Sequence, residues 1–264
     1  CVDIATDGEM QIVAWLENTE NNVFMSSGSN SIYVRTCENG IWGEKKCIAG
    51  ELNPITSMAV SIESGGLYVA YTMDLDGDSE TAGDVEVFLY RNGNTERITS
   101  DSRNDKEVVL LGNRLYWSAD NEIMWMTVNG TGYVKATGIE SGLAYKVMEN
   151  AGKHAILTEN AEGYDSVLCL STENGSNFSK AIPVTDCGKK ISDYAAAYLG
   201  NGEVAALTFE REILENPTET DVYGNTNLRV YEKLEAANLV VDGIYIEEEK
   251  VAPGATIPVE LSIY

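Results

Sequence analysis

The chain has 264 residues, 44% of them hydrophobic and 23% charged, enough apolar matter for one large core or one domain with a small appendage. Its formal net charge of −24, from 42 acidic and 18 basic residues, speaks against nucleic acid and anionic membrane surfaces, both of which select Lys and Arg. No apolar run approaches the ~20 residues of a membrane-spanning helix, and no signal peptide is read.

The chain opens on Cys1 rather than Met, directly in strand-like sequence, and reads as processed or excised. Strand signals dominate: short runs rich in Val, Ile, Tyr and Trp, punctuated by Asn-Gly and Asp-Gly. Hairpin turns are expected at Asn39-Gly40, Asn92-Gly93, Asn129-Gly130 and Asn201-Gly202, whose residues tolerate positive φ. No convincing amphipathic helix is found.

The predicted strands fall into units. The first holds 2–6, 11–17, 31–37 and 41–48; the second 57–63, 67–73, 85–90 and 95–99. The third holds 107–111, 114–119, 123–128 and 132–136; the fourth 145–149, 154–159, 166–171 and 178–185. The fifth shows 193–199, 203–210 and 227–233, and no fourth strand. The second strand of each unit aligns: Ile12-Val13-Ala14-Trp15, Tyr68-Val69-Ala70-Tyr71, Arg114-Leu115-Tyr116-Trp117, His154-Ala155-Ile156-Leu157 and Val204-Ala205-Ala206-Leu207. Their last residues are spaced 56, 46, 40 and 50 residues apart. Four strands recurring at that period are the mark of propeller blades.

The expected fold is therefore all-β, a β-propeller of about five four-stranded blades over 1–235, standing alone or as part of a larger ring. Small Ala14, Ala70 and Ala205 would sit near the tapering centre, and Trp15, Tyr71 and Trp117 would fill gaps between blades. Residues 236–264, with strands around Ala252-Pro253-Gly254, read as the opening of a β-sandwich.

That segment, through Ala237-Asn238-Leu239-Val240-Val241 and Pro253-Gly254, resembles the start of the cell-adhesion-related β-sandwich domains of bacteria and archaea. The second unit, with Asp74, Thr81, Asp84, Asn92-Gly93 and Arg97-Ile98-Thr99, resembles blades of large secreted bacterial propeller proteins. In the fourth, Ser171-Thr172-Glu173-Asn174-Gly175-Ser176-Asn177-Phe178 resembles the Asp-box turn of sialidase-type propellers, with Glu for Asp and Phe for Trp. The box is a structural turn, so the resemblance implies fold and no activity.

Asp74, Asp76 and Asp78 alternate along one loop, with Asp84 beyond. Calcium takes about six to eight oxygen ligands, and such loops supply them compactly; the plain alternative is a solvated acidic loop. The EF-hand pattern is broken by Ser79 and Val85. Long connections between second and third strands in units one, two and five would form one wall of a five-bladed ring. Asn21, Asn22, Phe24, Tyr223 and Asn225 would there meet an extracellular glycan or protein. The single His154 and five cysteines without a CxxC pair make zinc improbable. Cys37 with Cys47, and Cys169 with Cys187, are placed either as disulfides or as buried thiols.

The expected role is a non-catalytic binding or adhesion module of a secreted or cell-surface protein, stabilised by calcium. The alternative is a glycosidase with paired carboxylates in the channel, drawn from Asp3, Glu149 and Asp193 on the innermost strands. A purely structural spacer is the third reading. The seven arginines are scattered, without the cluster a sialidase needs for its substrate's carboxylate, and no Tyr/Glu pair stands out.

Overall fold

The computed structural model describes residues 1–21, 28–78, 81, 83–120, 122–136, 138–139, 144–162, 164–200, 202–214 and 223–233. Among them there is no helix, and the strands form five antiparallel sheets. The first contains β1 (Val2–Thr6), β2 (Met10–Asn18) and β3 (Asn30–Glu38), with β4 (Ile41–Trp42) and β5 (Lys46–Leu52) both on β3. The second runs β6 (Ile55–Glu63), β7 (Gly66–Asp74), β8 (Val85–Arg91), β9 (Asn94–Arg97). The third runs β10 (Asp105–Leu111), β11 (Arg114–Ala119), β12 (Glu122–Thr127), β13 (Val134–Lys135).

The fourth contains β14 (Ala144–Asn150), β15 (Lys153–Glu162) and β16 (Asp165–Asn174), with β17 (Asn177–Phe178) and β18 (Ile182–Pro183) both on β16. The fifth has three described strands, β19 (Lys189–Gly200), β20 (Glu203–Ile213) and β21 (Tyr223–Lys233). The five predicted units are the five sheets, with most strand ends moved by one to four residues. The larger departures are the fourth strands of the first and fourth units, each of which the chain breaks into two short pieces.

Successive sheets pack face to face, and their first strands β1, β6, β10, β14 and β19 meet in order. This is the propeller arrangement, with those strands innermost. Four apolar layers hold it. Ile12, Ala14 and Val34 meet Val60 and Tyr71 between sheets one and two. Ala70, Val87 and Leu89 meet Leu115 and Trp117 between two and three. Tyr116 and Ile123 meet Ile156 and Phe178 between three and four. Leu157, Leu168 and Leu170 meet Ile191, Val204 and Ala206 between four and five. An inner sheet buries both faces, which is why β7, β11 and β16 carry apolar residues without strict alternation. Each fully buried Leu or Ile contributes roughly 1.5–3 kcal/mol.

Innermost strands of neighbouring sheets share no backbone ladder, and side-chain oxygens bridge them instead. Asp3 Oδ2 accepts from the Val60 N–H (2.8 Å) and Ser57 Oγ from Val108 (3.0 Å), while between sheets four and five it is Ser166 Oγ of the third strand, β16, that accepts from Ile191 (2.8 Å). Asn39-Gly40 and Asn92-Gly93 turn with both residues at positive φ, as expected. Asn129-Gly130 does not; there the Gly130 N–H returns to the Thr127 carbonyl at 2.8 Å. None of the five cysteines is in a disulfide; Cys37 and Cys169 are buried and the others exposed. Cys37 lies opposite Trp42 and Cys47 opposite Tyr33, so of the two alternatives the disulfide is not made.

Among the described residues the arc is open: β1 packs on β2 and β6, and β19 on β14, β16 and β20. The expected single wall of loops from units one, two and five needs units five and one to adjoin, and the described residues do not bring those two together. The sandwich expected over 236–264 lies outside the described residues.

Candidate functional site

Antiparallel order puts the start of every innermost strand, and every connection between second and third strands, on one face. Three innermost strands are bulged near that face: β6 between Ile55 and Ser57, β10 between Lys106 and Val109, β19 between Ile191 and Asp193. A bulge adds a residue and re-aims side chains. In β10 it holds Glu107 at φ +56°, a left-handed conformation costly for a residue with a Cβ, and leaves its side chain exposed.

One tyrosine bonds the Glu107 backbone from the fourth sheet, and a second, on the fifth, feels its charge. The Tyr145 hydroxyl on β14 donates to the Glu107 carbonyl. Burial raises the Tyr145 phenol well above the ordinary tyrosine value, and the Glu107 carboxylate adds to it. Tyr194 on β19 is pushed up to about 12, by burial first and then by the carboxylates of Glu159, Glu107 and Asp193. Glu159 is tied to Lys190 at 2.9 Å. Both phenols thus stay protonated through the neutral range and remain donors, while exposed Glu107 and Asp193 offer acceptors beside them.

Of the three acids expected in the channel, Asp193 is at this mouth, its Oδ1 accepting from the Tyr194 N–H (2.8 Å). Asp3 is a bridge between sheets one and two. Glu149 stands at the opposite end, across from His154. Glu107 and its tyrosines were missed. A bulge is a property of backbone pairing, and Asp-Lys-Glu-Val-Val-Leu-Leu reads as a plain strand.

On the same face, three of the four expected metal ligands converge. Asp74, Asp76 and Asp84 each place a carboxylate oxygen within 4.8 Å of the other two. Asp78 is not in the group: its amide donates to Asp76 Oδ1 (2.8 Å), and its carbonyl accepts from Thr81. Asp74 is buried, its Oδ1 accepting from the Gly77 N–H (2.8 Å). Its pKa is raised by burial first, and further by Asp84 and Asp76. Among the five expected ligand contacts, Asn21 is exposed at φ +55°. Asn22 and Phe24 lie outside the described residues. Tyr223 and Asn225 belong to β21 rather than a loop, because β20 and β21 extend to eleven residues each, with Tyr223 opposite Ile213.

The opposite end carries a half-buried ionic cluster. Arg114 pairs with Glu173 and lies 4.5 Å over the Trp125 ring. Glu173 Oε2 accepts from the His154 N–H (3.1 Å), and the Tyr116 hydroxyl meets His154 Nδ1 at 3.0 Å. Glu173 stands at the Asp position of the box resemblance, and its contacts are those of a structural clamp. Burial lowers the His154 pKa, keeping it neutral near pH 7. Arg91, Arg97, Arg103 and Arg229 are likewise each paired with their own acid, Glu96, Glu86, Asp101 and Glu210.

No protein-family model and no curated protein matches the chain. Solved structures do. A puromycin-hydrolysing peptidase of Mycobacterium tuberculosis aligns with a TM-score of 0.53 at 9% identity, over 88% of this chain and 36% of that one. Trypanosoma rangeli sialidase in complex with sialic acid aligns at 0.41 and 13%, over 89% and 44%. A family 117 glycoside hydrolase of Zobellia galactanivorans aligns at 0.43 and 10%, over 87% and 81%. The chain thus spans less than half the length of the first two. At such identities the likeness concerns the fold, which is propeller-like.

The expectation of a non-catalytic binding or adhesion module is corrected by these comparisons. The chains that share the arrangement are enzymes, sialidases and glycoside hydrolases among them. The alternative, a glycosidase with carboxylates in the channel, accords with them better.

Proposed function

We propose that the chain forms part of an extracellular glycan-hydrolysing enzyme whose site is the channel mouth at Glu107, Asp193, Tyr145 and Tyr194. The observation that carries this reading is Glu107, an exposed carboxylate held in a left-handed bulge of an innermost strand whose carbonyl is bonded by the Tyr145 phenol. Glycoside hydrolysis needs one carboxyl group to protonate the departing oxygen and a second to activate water or attack the sugar carbon. Glu107 and Asp193 are assigned that pair. The Tyr194 phenol donates to a sugar hydroxyl, the Tyr145 oxygen, whose proton is held by the Glu107 carbonyl, accepts from one, and the strained backbone fixes where the acid points.

The substrate class follows from charge. The mouth gathers Glu107 and Asp193, its Lys190 is taken by Glu159, and the five arginines named above are each held by an acid of their own. An anionic sugar would be repelled, so a neutral glycan is the fitting substrate. Asp74, Asp76 and Asp84 are assigned a structural cation on the same face, with calcium the choice for an all-oxygen ligand set.

The test is turnover of a panel of aryl glycosides, neutral and sialylated. Hydrolysis of a neutral member is expected, falling roughly 10²–10⁴-fold in Glu107→Gln while circular dichroism and melting temperature stay unchanged. Retained activity in Glu107→Gln, preference for the sialoside, or no turnover anywhere in the panel would overturn the reading.

A further inference from the structure

The two ends of the arc expose surfaces that are buried everywhere else in the molecule. On the fourth sheet, Leu157, Leu168 and Leu170 are 0, 0 and 1% exposed, because the fifth sheet lies on them. In β15 and β16, Leu157 stands opposite Leu170, and Glu159 opposite Leu168. In β20 and β21, Leu207 stands opposite Val230, and Phe209 opposite Leu228. Position for position, Leu207, Leu228 and Val230 are the fifth sheet's counterparts of those three leucines. They are 37, 58 and 71% exposed.

The other end repeats the pattern. Tyr71 stacks on Phe88 across β7 and β8, ring centroids 5.3 Å apart, and is buried beneath the first sheet. Its counterpart Trp15 stacks on Tyr33 across β2 and β3 at 6.0 Å, with no described sheet over it. Val2 lies opposite Trp15 and Ile4 opposite Val13, both about two-thirds exposed. Lys45 and Glu17 fringe this face: Lys45 Nζ lies 3.7 Å from the Tyr33 ring centroid and pairs with Glu17 at 2.6 Å.

From this correspondence we infer that both end faces are inter-blade surfaces built to receive further four-stranded antiparallel sheet, seated between the fifth sheet and the first to complete the ring. The occupant's chemistry is set by what already sits on the equivalent faces. Against Leu207, Leu228 and Val230 it must present small and branched residues, as the fifth sheet does with Ile191, Val204 and Ala206. Against Val2, Ile4 and Trp15 it must present an alternating aliphatic strand, as Ile12, Ala14 and Leu16 do toward the second sheet. One sheet with two apolar faces satisfies both, as the second, third and fourth already do. Contiguous exposed apolar surface of this kind marks an interaction site. A second copy of the chain would instead place a fifth-sheet face on a first-sheet face, head to tail.

The test uses residues 1–264 as they stand, with the dye ANS as probe of open apolar surface and light scattering for mass. The expected result is a monomer that binds ANS. In Leu207→Lys/Val230→Glu the signal falls several-fold with the melting temperature within about 2 °C, and Ile4→Lys removes a further share. Leu157→Lys, the covered counterpart, fails to fold or melts far lower. If Leu207→Lys/Val230→Glu melts as low as Leu157→Lys, the face is already covered within the chain and the inference fails. A discrete dimer dispersed by either face's variant would make a second copy the occupant and overturn it equally. None of these outcomes depends on glycoside turnover, so this inference and the proposed function fail separately.

Discussion

Asp105 opens β10 with its side chain wholly buried, and neither carboxyl oxygen makes a hydrogen bond of ordinary geometry. Burial pushes its pKa up to about 6; the Thr99 hydroxyl offers partial relief, while Asp101 and Glu86 push it further up and Arg103 opposes them. The unfolded chain holds the same group near 4. Below that value both states carry the proton and the fold bears no penalty. Above about 6 both are ionised and the full burial cost is felt. Stability should therefore fall as pH rises from about 4 to about 6, by roughly 3 kcal/mol for this group. Chemical denaturation across that range should show the decline, and Asp105→Asn should flatten it. An unchanged profile in the variant would mean that Asp105 ionises without cost. Glu86, by contrast, is buried but paired with Arg97 at 2.7 Å. Removing Arg97 strands a buried charge, the costlier way to break such a pair.

At the scale of elements, the loop between β7 and β8 is organised before any cation arrives. Asp74 Oδ1 holds the Gly77 amide, Asp76 Oδ1 holds the Asp78 amide, and Asn53 Nδ2 donates to the Leu75 carbonyl at 2.6 Å. These bonds bring like charges together, and a divalent cation would relieve their repulsion. Saturating calcium should raise the melting temperature by roughly 5–10 °C, and Asp76→Ala should abolish the shift. The effect should weaken as pH falls, because the raised Asp74 pKa lets protons compete with the ion. A melting curve indifferent to calcium would leave a solvated acidic loop. This loop was legible in the sequence because spacing alone brings Asp74 and Asp76 together. That Asp78 turns its backbone to the loop instead depends on the local turn, which spacing does not encode.

Across the whole molecule, the period was legible because every blade repeats the same alternation. Leu157 and Leu207 carry the same pattern, yet one is covered and the other is not. Periodicity reports that a face is apolar and is silent about what lies on it. Ring closure therefore could not be read from the repeats, nor could Glu107, whose exposure at the channel comes from a bulge in pairing. Both the channel site and the open end faces rest on five sheets set around one axis. Pulsed dipolar spectroscopy tests that arrangement, with exposed Cys1, Cys47 and Cys187 changed to serine. Spin labels go in pairs at the turn joining first and second strands of each sheet, from Glu9 to Glu63, Asn113, Lys153 and Glu203 in turn. Sheets fanned about an axis predict distances that lengthen and then level or shorten by the fifth sheet, as chords of a circle do. A distance that grows in equal steps to Glu203 would mean a stacked row without a common axis, and would contradict the account.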